Sequence, residues 1–323
     1  MRYNLSNKQL VHIVADPHIA AFECDRPVSL PSPKIKTVLS YGLLKTKKKA
    51  HGQWTTWNIA RVLGGRMRPN KGERIRIGVI DTGIDLNHPD LRVNIKGGIN
   101  LLYPSKPPQD DNGHGTHVAG IIGAYNHPVG VAPAVSLYAI KVLNERGTGT
   151  LATLIKGIEW AIRNRMDIIN ISVSGGKVVP PILSRTIAAA VNRGMIVVAA
   201  AGNSGTVSGR GDTVVIPGRL PTVIAVAALD YKNARAPFSA TGPAVDLAAP
   251  GVNILSTYTG SRYAILSGTS MAAPHVTGAA AILKRTYPTA SVALVKKVLQ
   301  ARAIDLLPRC KDPWTGSGLV QVR

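Results

Sequence analysis

Along most of this 323-residue chain, short apolar runs alternate with stretches of helical spacing. The regular part opens at Arg74, where Ile75-Arg-Ile-Gly-Val-Ile80 reads as a strand ending at Asp81. Residues 135–143 read as a second strand. The period then changes: Leu151, Leu154, Ile155, Ile158, Ala161 and Ile162 share one helical face. Residues 167–172 predict a buried strand, 182–192 a helix, 195–200 a strand and 222–228 another. Near-continuous apolar strands alternating with helices predict an α/β fold, with a mainly parallel central sheet between two helical layers (α/β/α). Sites in such sheets lie at the carboxyl ends of the strands.

Residues 1–50 do not share this rhythm. Pro27, Pro31 and Pro33 are expected to break any regular element. The run Lys45-Thr-Lys47-Lys48-Lys49 is expected to be a solvated, like-charge stretch. The pattern predicts an N-terminal extension over 1–50 and one large domain over 51–323.

Composition narrows the class. Hydrophobic residues make up 45%, enough for a globular core and too many for disorder. With 2 Phe and 32 Gly, that core must be built from Ala, Val, Ile and Leu. Cys24 and Cys310 stand far apart, which excludes a disulfide-rich scaffold and a cysteine zinc site; both are expected as free thiols. The first residues lack a following apolar stretch, and no segment approaches the roughly 18 apolar residues of a membrane helix. Retention in the cytoplasm is the expectation.

Charge is the unusual global number: 39 basic against 17 acidic residues give +22. The excess is uneven. Residues 1–50 hold 9 basic and 3 acidic residues, 101–150 hold 3 of each, and 251–300 hold 5 basic and none acidic. No aromatic interleaving or nucleic-acid motif accompanies it. The expectation is a basic surface without a specific nucleic-acid partner, suited to acidic protein substrates or anionic surroundings.

Three short motifs carry candidate chemistry. Asp81-Thr-Gly-Ile-Asp85 sits at a strand end, where a carboxylate can orient a base or simply cap a turn. In Asn112-Gly-His114-Gly-Thr-His117, the glycines let a partner approach His114 closely. A metal reading of His114 and His117 lacks both the i, i+4 spacing and the adjacent Glu of a zinc helix, and His117 alone reads as a packed helix residue. In Gly268-Thr-Ser270-Met-Ala-Ala-Pro274, Ser270 stands at a helix start, where free N–H groups suit an oxyanion or a simple N-cap.

Taken together, with Asp81, His114 and Ser270 in that chain order, the three motifs strongly resemble the subtilisin-like serine proteases over roughly residues 53–323, with an intracellular type in view. The resemblance implies a serine endopeptidase with an Asp81–His114–Ser270 triad. Asn203, in Ala200-Ala-Gly-Asn203, matches the family's oxyanion-hole side chain. Gly147-Thr148-Gly149 and Ser172-Val173-Ser174 match the two edges that hold an extended peptide as an added strand. Two departures stand out. Ser174 replaces a usual Gly and is expected to crowd the substrate, and Val215 is expected to make the specificity pocket shallow.

The family implies no cofactor for the chemistry and a structural calcium ion. Gln53 and Asp90 match its side-chain ligands, but the loop Tyr125–Gly130 is about three residues short for wrapping an ion. A weaker site would use backbone carbonyls near Gly218 and Val223. The expected partners are protein or peptide substrates, with residues 1–50 as the chain's own inhibitor, removed near Lys45–His51. The alternative of an inactive binding module is opposed by the intact Asp81, His114, Asn203 and Ser270. An α/β-hydrolase is opposed by Ala272, where its elbow needs Gly.

Overall fold

The computed structural model describes residues 23–31, 34–40, 55–65, 71–126 and 128–322. The lysine run at 45–49, the boundary at Ala50 and Gln53 lie outside the described residues. The core is a seven-stranded sheet. Its order is β10 (Val245–Pro250), β9 (Ile224–Leu229), β8 (Ile196–Ala200), β7 (Ile168–Ile171), β3 (Arg76–Asp81), β5 (Ser136–Lys141) and β4 (Ile95–Asn100). Every neighbouring pair is parallel.

Strand periodicity divides the core into two faces. Ile77, Val79, Ile168, Ile196 and Val198 pack with α1 (Trp57–Leu63), α2 (His114–Gly123), α5 (Thr269–Thr286) and α6 (Val292–Ala301). Ile80, Ile169, Ile171, Val197 and Ala199 point the other way, into α3 (Leu151–Arg163) and α4 (Pro181–Asn192). Alternation with period two sends successive side chains to opposite layers, as the three-layer expectation requires. Helix α3 starts where predicted, because the Thr150 hydroxyl accepts from the Thr153 N–H while the Thr153 hydroxyl accepts from the Thr150 N–H.

The topology fixes where the site can be. Strands β4 and β5 lie to one side of β3, and β7 to β10 lie to the other. Crossovers therefore diverge at β3, and the crevice opens beyond its carboxyl end, at Asp81.

The proline-punctuated stretch departs from expectation. β1 (Pro27–Ser29) pairs antiparallel with β6 (Thr148–Thr150), and β2 (Lys34–Leu39) pairs antiparallel with β12 (Arg262–Ser267), itself paired with β11 (Ile254–Tyr258). Pro27 is the first residue of its strand and Pro31 lies beyond its end. Proline is tolerated at such positions, since its fixed φ suits extended backbone and no ladder N–H is required there. The pairing partners lie more than a hundred residues away, so no local pattern announces them.

Two buried histidines give the fold an acid limit. His117 on α2 donates from Nε2 to the carbonyls of Ile254 and Ala264, and burial lowers its pKa to about 3. His275 on α5 sits between Met271 O and the Asn58 amide, and burial lowers its pKa to about 4. Both are neutral when folded, whereas the unfolded chain takes up these protons near pH 6.5. Stability is therefore full above pH 6.5 and falls as pH drops toward 4, by up to about 1.4 kcal/mol per pH unit for each histidine. Calorimetric midpoints between pH 7 and 4 should show the decline, and His275→Gln should flatten it.

Candidate active site

Asp81 ends β3 fully buried, and its Oδ1 accepts the Thr82 N–H at 2.8 Å. Its second partner is His114, the first residue of α2, whose Nδ1 stands 2.7 Å from the same oxygen. The approach needs small residues. A Cβ on Gly115 would lie 2.1 Å from Gly83 O and 3.1 Å from Asp81 Cβ, so only glycine lets the helix start close on the strand end. Gly113, at φ 111°, turns the chain into α2 against the Tyr258 ring.

One carboxylate absent from the sequence-level candidates holds both pieces. Buried Asp110 accepts from the Thr82 hydroxyl at 2.8 Å, from the N–H groups of Asn112 and Gly113 at 3.0 and 2.9 Å, and from Thr116 N at 2.9 Å. It ties the residue after Asp81 to the N-terminal turn that carries His114. The available signal was an Asp shortly before a glycine-flanked helix start, an N-capping pattern. Lys141, at the end of β5, adds a buried ammonium that donates to Thr82 O and Leu143 O and pairs with Asp111 at 2.7 Å.

Ser270 lies in the first turn of α5, after N-cap Gly268. Pro274 has no N–H to give the Ser270 carbonyl; the Ser172 hydroxyl, just past β7, supplies the bond at 3.2 Å. Asn170 donates to Ser172 Oγ at 2.9 Å and accepts from Thr277 on α5 at 2.8 Å. The helix that carries Ser270 is thus fastened to the end of β7. Ser270 Oγ donates to Ser172 O at 3.4 Å, and His114 Nε2 is buried with no hydrogen-bond partner among the described residues.

Asn203 follows β8. Its Oδ1 accepts from both Thr269 N and Thr269 Oγ1 at 2.9 Å, which turns Nδ2 outward as a donor. That Nδ2 donates to the carbonyl of Pro31 at 2.8 Å. A Cβ on Gly268 would stand 3.2 Å from Asn203 Nδ2 and 3.7 Å from Ser270 N, so the two donors flank one spot.

The cleft beside this spot holds the chain's own strand. Leu30 N donates to Gly147 O, and Val28 lies opposite Gly149 and Ser29 opposite Thr148. On the other side Ser29 and Ser174 exchange both ladder bonds, at 2.9 and 2.8 Å. Ser174 therefore does not keep a strand out, contrary to the crowding expected of its side chain. Val173 is buried in the core behind this edge. A cavity of about 320 Å³ lies beside Pro31, lined by Val215, Ser174, Asn203, Phe238 and Ser267. Val215 sits in its wall.

Of the two side chains matched to calcium ligands, Gln53 lies outside the described residues and Asp90 is otherwise engaged. The Asp90 carboxylate, 1% exposed, accepts the Tyr263 hydroxyl. Gly130 N closes the short loop on Ala124 O at 2.8 Å. No cluster of three His, Cys, Asp or Glu side chains suited to a metal occurs among the described residues. Near the carbonyls considered for the weaker site, Lys296 Nζ donates to Val223 O and Pro221 O at 3.0 and 3.1 Å and pairs with Asp246 at 2.7 Å. Lys296→Met should cost about 2–3 kcal/mol by leaving Asp246 short of its partner. Millimolar calcium should recover part of that in urea titrations of the variant and leave the parent unchanged.

A subtilase family model matches residues 72–317. Subtilisin DY of Bacillus licheniformis is 45% identical over 255 residues, covering 78% of this chain and 90% of that protein. Subtilisin E of Bacillus subtilis (strain 168) is 40% identical over 325 residues, covering 99% of this chain and 78% of its own. A thermostable alkaline protease of Halalkalibacterium halodurans is 42% identical over 293 residues, covering 88% and 72%.

Proposed function

Because this chain belongs to the subtilase family of serine endopeptidases, we propose that Ser270 is its nucleophile, His114 its general base and Asp81 the carboxylate that orients that base. Ser270 Oγ attacks the scissile carbonyl while His114 Nε2 takes its proton. The imidazolium so formed is balanced by Asp81, 2.7 Å from Nδ1, and then protonates the leaving amine. Water repeats the sequence on the acyl-enzyme. Asn203 Nδ2 and Ser270 N receive the oxyanion. Subtilases do this without a cofactor.

The observation that carries the reading is the Pro31 carbonyl, 2.8 Å from Asn203 Nδ2 at the end of a strand laid between Gly147–Gly149 and Ser174. It stands where a substrate carbonyl would stand, with Val28, Ser29 and Leu30 in the upstream subsites. The cavity wall at Val215 supports a preference for medium apolar side chains before the cut bond.

The same strand supports residues 1–50 as an inhibitory extension. Ser29 and Ser174 exchange both bonds, and doubly bonded pairs recur every second residue of an antiparallel ladder. Pro31 therefore falls opposite Ser172 and has no N–H to offer it. Ser270 Oγ turns to that vacant acceptor instead of to His114. Such a restraint suits a protease that remains in the cytoplasm, the compartment proposed here. No helix among the described residues is long and apolar enough to cross a membrane.

A fluorophosphonate probe tests both parts. Ser270 should carry the adduct, and a chain starting at residue 51 should label at least ten times faster than the full chain. Absence of an adduct on Ser270 in the shortened chain, together with no casein hydrolysis, would overturn the assignment; equal labelling rates would remove the inhibitory role.

A further inference from the structure

The strand that leads into the nucleophile has a second edge. β12 ends at Ser267, three residues before Ser270. One of its edges pairs with β11 and the other with β2. Along that second edge Ser267 faces Lys34, Leu266 faces Ile35, Ile265 faces Thr37, Ala264 faces Val38 and Tyr263 faces Leu39, with Lys36 as an extra residue. The chain that brings the Pro31 carbonyl to Asn203 therefore continues along β12. Residues 34–39 are the third to eighth beyond that carbonyl, on the leaving-group side of the bond.

The two halves of this bound segment are held differently. Upstream, Val28 is 1% exposed and packed into the core, so side chains are read there. Downstream, Ile35 is 56% and Val38 41% exposed, and Lys36 and Thr37 also face water. On β12 itself Tyr263, Ala264 and Leu266 are buried. What holds β2 is mainly the backbone ladder, which accepts any sequence without proline at its donor positions. Without β2, a strand edge of this length would be a ready template for another chain.

We infer that the β12 edge is a leaving-group-side binding strand for extended polypeptide substrates, gripping the third to eighth residues after the cut bond by main-chain pairing, with β2 as its resident occupant. This rests on the reading that the Pro31 carbonyl marks the scissile position. Capture then depends on the length and openness of the chain beyond the cut rather than on its side chains, which favours unfolded proteins over short peptides.

The test uses the full chain and its Thr37→Pro/Val38→Pro variant. Neighbouring residues of an antiparallel strand alternate in the direction of their N–H groups, so one of the two prolines removes a donor facing β12. Both side chains are exposed, so the core is untouched. A fluorescent peptide with the sequence of residues 32–40 should bind the variant at least ten times more tightly than it binds the parent, whose edge is filled. The same peptide with prolines at its two corresponding positions should bind the variant at least ten times more weakly.

Hydrogen exchange supplies the second readout. Amides of Arg262–Ser267 should lose protection in the variant and regain it with the peptide, while the seven-stranded sheet stays protected. The single variants Thr37→Pro and Val38→Pro run alongside as milder changes, and one of them should free the edge more than the other. Equal binding of both peptides, equal binding to variant and parent, or β12 protection that does not respond to peptide would each overturn the inference. None of these readouts needs turnover, so they fail or succeed separately from labelling of Ser270.

Discussion

Ser270→Ala is expected to lower kcat on a peptide substrate by about 10⁶-fold, the size of the effect in the related subtilisin, with KM little changed. In the proposed mechanism the alanine removes the atom that bonds covalently to the substrate. It leaves Asn203 anchored by its two bonds from Thr269, so the oxyanion donors and the cleft remain. Roughly 10³–10⁴-fold acceleration over water should therefore survive. The fold should barely respond, since Ser270 Oγ makes a single 3.4 Å bond and the methyl fills nearly the same space. A thermal midpoint within about 2 °C of the parent is expected. A loss of less than 10³-fold in kcat would show that another group performs the attack.

Asp81→Asn is the second large effect, about 10⁴-fold in kcat at neutral pH, again with KM nearly constant. Asp81 is fully buried and does not line the cleft, so substrate binding has no reason to change. Its Oδ1 serves both Thr82 N and His114 Nδ1, and its Oδ2 has no hydrogen-bond partner among the described residues. An asparagine that keeps Oδ1 in place buries an NH₂ without an acceptor and no longer balances the imidazolium. One that flips offers Nδ2 to His114 and forces the proton onto Nε2, which then cannot accept from Ser270. Either outcome costs the step in which the histidine becomes charged, in surroundings where water screens little. Retention of kcat within 100-fold would separate Asp81 from catalysis.

The site was more legible than its supports. Asp81, His114, Asn203 and Ser270 each sit in a short motif with glycine or alanine neighbours, because close approach requires small residues at fixed offsets, as Gly115 shows. Five of the seven parallel strands were equally plain, since burial on both faces leaves continuous apolar runs; β4, half-exposed with Lys96 and two glycines, and β10, broken by Asp246, were not. Asn170 and Thr277 were not legible: they meet through a hydrogen bond between distant parts of the chain, and a lone polar residue carries no period. Asp110 offered only a local capping signal, and its tie to Thr82 appears on folding. Lys296 carries no distinguishing sequence signal, and only folding sets it against Val223 O. The strands of the extension failed for a different reason. Proline argues locally against pairing, and only the distant β6 and β12 edges supply the ladder that overrides it.

The position of Pro31 relative to β2 has a consequence for maturation. Hydrolysis of the bond after Pro31 frees residues 1–31 but leaves β2 covalently joined to the catalytic domain and still laddered to β12. The new amine is then a tethered product, at an effective concentration on the order of millimolar. It competes with water for the acyl-enzyme: attack by the amine re-forms the peptide bond and frees the serine hydroxyl, whereas attack by water releases the acid, so a single cut resembles a hinge that can be resealed. An irreversible opening requires a second cut beyond Leu39, after which β2 becomes a free peptide that dilution carries away.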